Sequence, residues 1–229
     1  MPILPGPPPV EITLRRSARA RRFSLRVAQA DGKVTLSLPT RAREAEALAF
    51  AVSQEGWIRS ALARLPAAEM VGIGSVIPVE GRLLRLVSGQ GRSVQVAGDS
   101  LHVPGDPARA GPRVAAYLKV MARDRLAAAS DRYAAQIGRK VVQVSLRDTR
   151  SRWGSCTAEG ALMYSWRLVM APPSVLDYVA AHEVAHMVEM NHSDRFWAVV
   201  ARLYPAWQEE RAWLKRQGGA LQAFRFDAA

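Results

Sequence analysis

The chain is poor in cysteine, histidine and long apolar runs. A single cysteine among 229 residues excludes an intrachain disulfide. No apolar run approaches the ~18 residues needed to span a bilayer. The N-terminal segment has no basic stretch followed by an apolar one, so we expect no secretory signal. These absences predict a cytoplasmic protein without a membrane partner.

Acidic residues are also scarce, since 20 Asp and Glu face 32 Lys and Arg and give a net charge of +12. Six arginines lie between Arg15 and Arg26. Such a stretch can bind nucleic acid phosphates, acidic protein segments or anionic surfaces. A solvated strand face explains the same residues, and we favour it because no stacked aromatic pattern accompanies them.

Three of the four histidines lie between positions 182 and 192, in the stretch His-Glu-Val-Ala-His-Met-Val-Glu-Met-Asn-His. His182 and His186 are four residues apart, so an α-helix places them on one face, where both can bind one cation. Glu183 lies beside the first ligand, where its carboxylate can reach a water bound to that cation. The H-E-x-x-H pattern also occurs by chance in helices, so a third ligand decides the interpretation.

His192 supplies that ligand, because a catalytic Zn²⁺ site uses three protein ligands and keeps one position open. Its spacing from His186 equals that of the extended H-E-x-x-H-x-x-G-x-x-H pattern, with Glu189 in place of glycine. We expect Asn191 to make the turn, since Asn tolerates the left-handed conformation. Glu189 and Asp194 are the competing ligands, and we expect Asp194 in the first turn of the next helix.

The motif is predicted to lie on a buried helix over 172–190, with Ser174 as N-cap and Asp177 completing a capping box. Ser193 is the expected N-cap of a following helix. A helix over 207–217 is expected to end at two glycines.

Upstream, alternation predicts a strand over 141–147 and a hairpin formed by 151–157 and 161–169. A strand beside the metal could pair with an extended substrate, or the hairpin could be an ordinary structural sheet. Cys156 in this hairpin is read as a small buried residue, with a role as fourth metal ligand as the alternative.

A match to a known family is carried by residues 15–20, 57–59, 150–156, 168–173, 177–179, 182–183, 190–193 and 196–197. In these segments the chain resembles the YgjP-like metallopeptidase family. The resemblance implies a zincin-type catalytic domain of the α+β class. It also implies that His182, His186 and His192 are zinc ligands and that Glu183 is the catalytic carboxylate. SprT-like and WLM-type proteases, which act on DNA-crosslinked proteins, use a similar arrangement.

The predicted domains are a flexible leader over 1–10, a β-rich N-terminal domain over 11–105, and a zincin-like domain over 112–229. The N-terminal domain is expected to hold strands at 11–14, 22–27 and 33–38, with a turn at Asp31-Gly32. A helical segment over 41–65 is expected to pack five residues on that sheet, namely Leu48, Val52, Trp57, Ile58 and Leu62. Strands at 82–87, 93–96 and 100–103, a linker over 105–111 and a helix over 112–138 follow. No internal repeat is recognisable.

The predicted function is a zinc-dependent metallopeptidase that acts on peptides or proteins, with Glu183 as general base. Tyr164, Arg167 and Tyr204 are the candidate stabilisers of the oxyanion. Two alternatives remain open. One is a protease tethered to nucleic acid by its N-terminal arginines, and the other is a metal-dependent hydrolase of a small phosphorylated substrate.

Overall fold

The computed structural model describes residues 2–28, 32–65 and 67–227, and the chain forms two compact units, Met1–Ala67 and Ala68–Ala229. Asp31 of the predicted turn lies outside the described residues. Both units mix helices and sheets, so the α+β class is confirmed.

The first unit is a four-stranded sheet covered by two short helices. Its strands are β1 (Ile3–Leu4), β2 (Val10–Ser17), β3 (Ser24–Val27) and β4 (Val34–Pro39), in the order β1-β2-β4-β3. Helices α1 (Glu44–Ser53) and α2 (Glu55–Ala63) follow. The helix breaks at Gln54. Ile58 is buried, as expected. Val52 and Trp57 were also expected on the sheet, but both are exposed.

The second unit contains two larger sheets and four helices among the residues described. The elements of its first part are β5 (Glu69–Met70), β6 (Val76–Val79), β7 (Arg82–Gly89), β8 (Gln95–Ala97), β9 (Ser100–Pro104) and α3 (Ala110–Gln136). Those of the second part are β10 (Gln143–Arg147), β11 (Gly154–Cys156), β12 (Ala161–Ser165), α4 (Pro173–Ala185), α5 (Asp194–Leu203), α6 (Trp207–Leu221) and β13 (Phe224–Arg225). A 3-10 segment, Trp166–Met170, joins β12 to α4.

One strand arrangement occurs three times along the chain. In each case a strand pairs in parallel with the second strand of the hairpin that follows it, and a helix comes next. The triplets are β2-β4-β3, β7-β9-β8 and β10-β12-β11, each in that spatial order. The structure therefore shows a recurring topology that the sequence did not reveal.

The predicted flexible leader is an ordered part of the first unit. Ile3 and Leu4 pair antiparallel with Glu11 and Val10, and Leu4 is 1% exposed in the core. The Arg59 guanidinium donates to the carbonyl oxygens of Pro5 and Pro8 at 2.8 and 2.9 Å. Proline carbonyls still accept hydrogen bonds, so a proline-rich segment can be fixed without a continuous strand ladder.

The compact units divide at residues 67 and 68, not over 105–111 as the sequence suggested. The strands β6–β9 contribute Ile77, Leu86 and Leu101 to the same buried core as Leu118 of α3. The supposed linker is packed, because a Cβ added to Gly111 would lie 2.7 Å from the Val71 carbonyl oxygen. Small glycines allow this close approach, and composition alone cannot distinguish that use from a linker.

No helix within the described residues combines the length and apolarity that crossing a membrane requires.

Candidate metal centre

Helix α4, which carries the first part of the motif, begins at two prolines. Pro172 is the N-cap and Pro173 the first helical residue, so the prediction of Ser174 as N-cap is wrong. Proline suits the first turn because its φ is already helical and its missing N–H has no acceptor there. Asp177 does not cap the helix, and its Oδ2 accepts from the Arg132 guanidinium at 2.8 Å.

The helix ends at Ala185, five residues before the predicted end, and His186 is its C-cap. A tighter turn follows, in which the N–H groups of Met187 and Val188 donate to carbonyls three residues earlier. This turn directs the Glu189 carbonyl oxygen to the His186 ring, 3.0 Å from Nδ1. The ring therefore donates through Nδ1 and leaves the lone pair of Nε2 available to a metal.

A turn stabilised by the Asn191 side chain positions His192 beside the other two histidines. Asn191 does not adopt the left-handed conformation, which Glu80 alone shows among the non-glycine residues described. Instead its Oδ1 accepts from the Ser193 N–H at 3.0 Å, as in an Asx turn. Ser193 caps α5 by accepting from the Phe196 N–H, as predicted, and Asp194 lies in the first turn.

The three imidazoles converge. The ligand atoms of His182, His186 and His192 all lie within 4.8 Å of one another. The Nε2 atoms of His182 and His192 are 3.2 Å apart. Donors held about 2.0–2.1 Å from one tetrahedral zinc ion lie about 3.3 Å from each other. The cluster can therefore hold a metal ion.

The protonation of His182 and His186 suits metal binding. Burial lowers the pKa of His182 to about 3, and His186, His192 and Arg211 act in the same direction. Burial also lowers the pKa of His186, although its hydrogen bond to Glu189 opposes this. Neutral imidazole is the form that binds a metal, so the site needs no proton removed from these rings near neutral pH.

An aromatic layer fixes the orientation of the rings. Phe196 stacks on His186 at 4.4 Å between ring centroids and meets His182 edge-on at 4.9 Å. Behind it, Trp197 stacks on Trp207 at 4.4 Å. The Nδ1 of His182 is buried without a hydrogen-bond partner among the described residues, so this ring makes its polar contact through Nε2.

Glu183 lies against the backbone of β11. The residue is 6% exposed, and a Cβ added to Gly154 would lie 2.5 Å from its Oε1 atom and 2.7 Å from its Cδ atom. Only glycine at position 154 permits this approach. Burial raises the pKa of the Glu183 carboxyl to about 8, while the Arg152 guanidinium acts to lower it.

The histidines and Glu183 line one open cleft of about 400 Å³ in the second unit. One wall consists of residues 152–156, which include β11, the outer strand of its sheet. Tyr178 and Leu214 also line the cleft. Among the described residues β11 pairs with β12 alone, so its other edge has no partner strand.

Glu189 and Asp194, the competing ligands, are not part of the cluster found among the described residues. The Glu189 carboxylate lies 3.5 Å from the Arg195 guanidinium. The residue contributes to the site through its backbone carbonyl, which orients His186.

Two of the predicted oxyanion stabilisers have structural contacts instead. Tyr164 is fully buried and its hydroxyl shares a hydrogen bond with Ser130 at 2.9 Å. Arg167 is buried and bound to both carboxylate oxygens of Asp148. Tyr204 lies 3.5 Å from Glu210 and packs beside Tyr178.

The sequence reasoning missed Tyr178, which lies in the cleft. The signal was present, because Tyr178 is one helical turn before His182 and so shares its face. Burial raises its pKa to about 12, which keeps its hydroxyl protonated at neutral pH.

Cys156 lines the cleft but is absent from the cluster of possible ligands. Its thiol lies 3.1 Å from the Thr157 carbonyl oxygen, to which it can donate. Burial raises the pKa of the thiol to about 11, and the carboxylates of Glu183 and Glu159 add to the effect. The thiolate that would bind a metal is therefore disfavoured.

A protein-family model described as a YgjP-like metallopeptidase domain matches residues 21–217. Neither the curated proteins nor the solved structures contain a match to the chain.

Proposed function

The chain belongs to the YgjP-like metallopeptidase family, and from that premise we propose that it is a zinc-dependent peptidase with a zincin-type centre. In this proposal His182, His186 and His192 hold the zinc ion, and Glu183 is the general base. The substrate is a peptide or protein segment in an extended conformation.

The convergence of three imidazoles beside a buried carboxylate carries the proposal. Nitrogen donors favour zinc and its transition-metal neighbours over Mg²⁺ and Ca²⁺, which prefer oxygen. A non-catalytic zinc site has a closed shell of four protein ligands, whereas this cluster offers three and opens into a cleft. These features favour a catalytic site.

When bound, zinc supplies Lewis acidity that polarises a carbonyl and makes water easier to deprotonate. The ionised form of Glu183 would accept a proton from the attacking water and return it to the leaving amine. Gly154 holds the Glu183 carboxylate in position by leaving room for it against β11. Tyr178 lines the cleft and keeps its hydroxyl protonated at neutral pH, so it would be the hydrogen-bond donor to the developing oxyanion.

We assign substrate binding to the free edge of β11. Among the described residues this strand pairs only with β12, and its residues line the cleft. Unpaired N–H and C=O groups at a sheet edge can add an extended peptide as another strand. Such pairing recognises the peptide backbone, so side-chain selectivity would come from the cleft walls.

The test is a cleavage screen with Glu183→Gln and the matched control Glu189→Gln, which makes the same chemical change outside the cleft. We expect Glu183→Gln to retain fold and metal but to lose roughly 10²-fold or more of hydrolysis, because an amide cannot accept the proton. Glu189→Gln should remain active. Unchanged turnover in Glu183→Gln would show that another group is the base.

A further inference from the structure

A second polar region lies at the end of β10, separate from the residues that line the histidine cleft. It consists of two adjoining clefts of about 400 and 290 Å³, both lined by Lys119, Asp148 and Trp166. The first extends along α3 and the end of β10, and the second reaches the C-terminal segment at Phe226. We call the pair the basic groove.

Basic side chains dominate the lining of the basic groove. Its acidic residues are Asp148 and Asp227, and its basic residues are Lys119, Arg123, Arg147, Arg150, Arg167 and Arg225. The Asp148 carboxylate is already bound by Arg167, with N–O distances of 2.6 and 3.1 Å. The charge of Asp148 is therefore already balanced by Arg167.

Three of these cations have exposed side chains and no carboxylate partner among the described residues. Lys119, Arg123 and Arg147 form no ion pair within the described part of the chain. The contact found for Arg123 is a long one, 3.5 Å from Nη1 to the Val144 carbonyl oxygen. Like charges without counter-charges repel one another, so a bound anion would reduce the electrostatic repulsion among these cations.

Trp166 adds a donor that lacks an acceptor. It lies in both clefts and is 3% exposed, and its Nε1 has no hydrogen-bond partner among the described residues. Lys119 and Arg167 lie over its ring, 5.7 and 4.8 Å from the centroid. The indole N–H can only donate a hydrogen bond, so a ligand that binds here should supply an acceptor as well as negative charge.

We propose that the basic groove binds the phosphodiester backbone of a nucleic acid. A phosphodiester strand carries a charge at every nucleotide, which matches cations distributed over two adjoining clefts. Arginine binds phosphate oxygens through two parallel N–H donors, and most of the groove cations are arginines. The contacts are to backbone charge alone, so binding is independent of base sequence.

The groove is continuous in sequence with the histidine cleft. The connection between β10 and β11 contributes Arg147 and Arg150 to the basic groove and Arg152 to the wall of the histidine cleft. The binding itself does not depend on the proposed peptidase activity.

The experiment measures binding of the full chain to a fluorescent oligothymidine at several salt concentrations. The test variant changes Lys119, Arg123 and Arg147 to Ala, and the matched control changes Arg202, Lys215 and Arg216, which removes the same charge elsewhere. We expect the test variant to bind roughly tenfold or more weakly, with a slope of log K against log salt shallower by about two. The control should stay within about threefold of the wild type.

Two further arms make the result decisive. Arg147→Glu changes one exposed side chain and should also weaken binding. This single variant keeps the test valid if the triple variant folds poorly. The variant of Arg15, Arg19, Arg21 and Arg22 to Ala tests the N-terminal arginines and should retain the wild-type slope. Equal losses in test and control variants would overturn the proposal, as would loss confined to the N-terminal variant or equal competition by polyglutamate.

Discussion

At the scale of single residues, Gly154 positions the Glu183 carboxylate, a role that the sequence alone does not indicate. It lies in β11, and the Glu183 carboxylate fills the space that a side chain would need. A methyl group at this position must displace the carboxylate or the strand. Gly154 is therefore a positioning residue for the proposed base.

We expect Gly154→Ala to lower peptide hydrolysis by roughly tenfold or more while zinc stays bound, because the three atoms nearest to the added Cβ all belong to Glu183 and none to a ligand. Gly72→Ala is the matched control, since a Cβ there meets nothing within 4 Å. Steady-state rates and metal content measured on the same preparations separate the two effects. Full activity in Gly154→Ala would mean that the carboxylate is held by other contacts.

The thiol of Cys156 gives a prediction about pH. Burial raises its pKa to about 11, and a thiol reacts as the thiolate. Alkylation by iodoacetamide at pH 8 should therefore be much slower in the folded protein than in urea, and its rate should still be rising above pH 9. Mass spectrometry reports the modified fraction. A folded rate that levels off near pH 8.5 would contradict the assignment.

The residues best predicted from sequence were those whose geometry is local. His182 and His186 share a helix face because of their spacing, and His192 follows from a short turn. Gly154 and Tyr178 escaped notice for different reasons. The contact between Gly154 and Glu183 joins residues far apart in the chain, and Tyr178 resembles an ordinary buried aromatic residue of a helix.

At the scale of elements, β1 shows that a proline-rich segment can belong to the core. Leu4 is 1% exposed and its neighbour Ile3 is 59% exposed, so the two side chains lie on opposite faces. We expect Leu4→Ala to destabilise the protein by about 2–5 kcal/mol and Ile3→Ala by less than about 0.5 kcal/mol. Urea unfolding followed by fluorescence measures both. A negligible effect of Leu4→Ala would support the prediction that residues 1–10 are a flexible leader.

Most long elements were predictable, and the short ones were not. The helices α3, α5 and α6 and the strands β7, β9, β10 and β12 carry periodic apolar patterns, which a sequence displays directly. The predicted end of α6 is wrong, because the helix continues through Gly218 and Gly219 to Leu221. The strands β5 and β13 are two residues each and exist because Phe224 pairs with Glu69 across the chain. No local pattern encodes such a pairing, because it depends on where both segments are placed by the core.

At the scale of the whole molecule, composition misled us about where one unit ends. Glycine and proline around 105–111 resemble a linker, yet Gly111 is packed between backbone segments and Ala110 begins the long helix α3. The sheet β6–β9 therefore belongs with the unit that carries the histidine cleft. A fragment beginning at residue 112 would lack part of its core and should not be used to test the activity.

The central claim is that the chain holds zinc with three histidines, and metal content tests it most directly. The protein is purified without chelators, and zinc is measured in the wild type, His192→Ala, Glu189→Ala and Asp194→Ala. We predict about one zinc ion per wild-type chain, affinity reduced by orders of magnitude in His192→Ala, and small changes in the two carboxylate variants. A wild type that binds no transition metal after reconstitution at neutral pH, or a zinc site that survives His192→Ala and is lost in Glu189→Ala, would contradict the account.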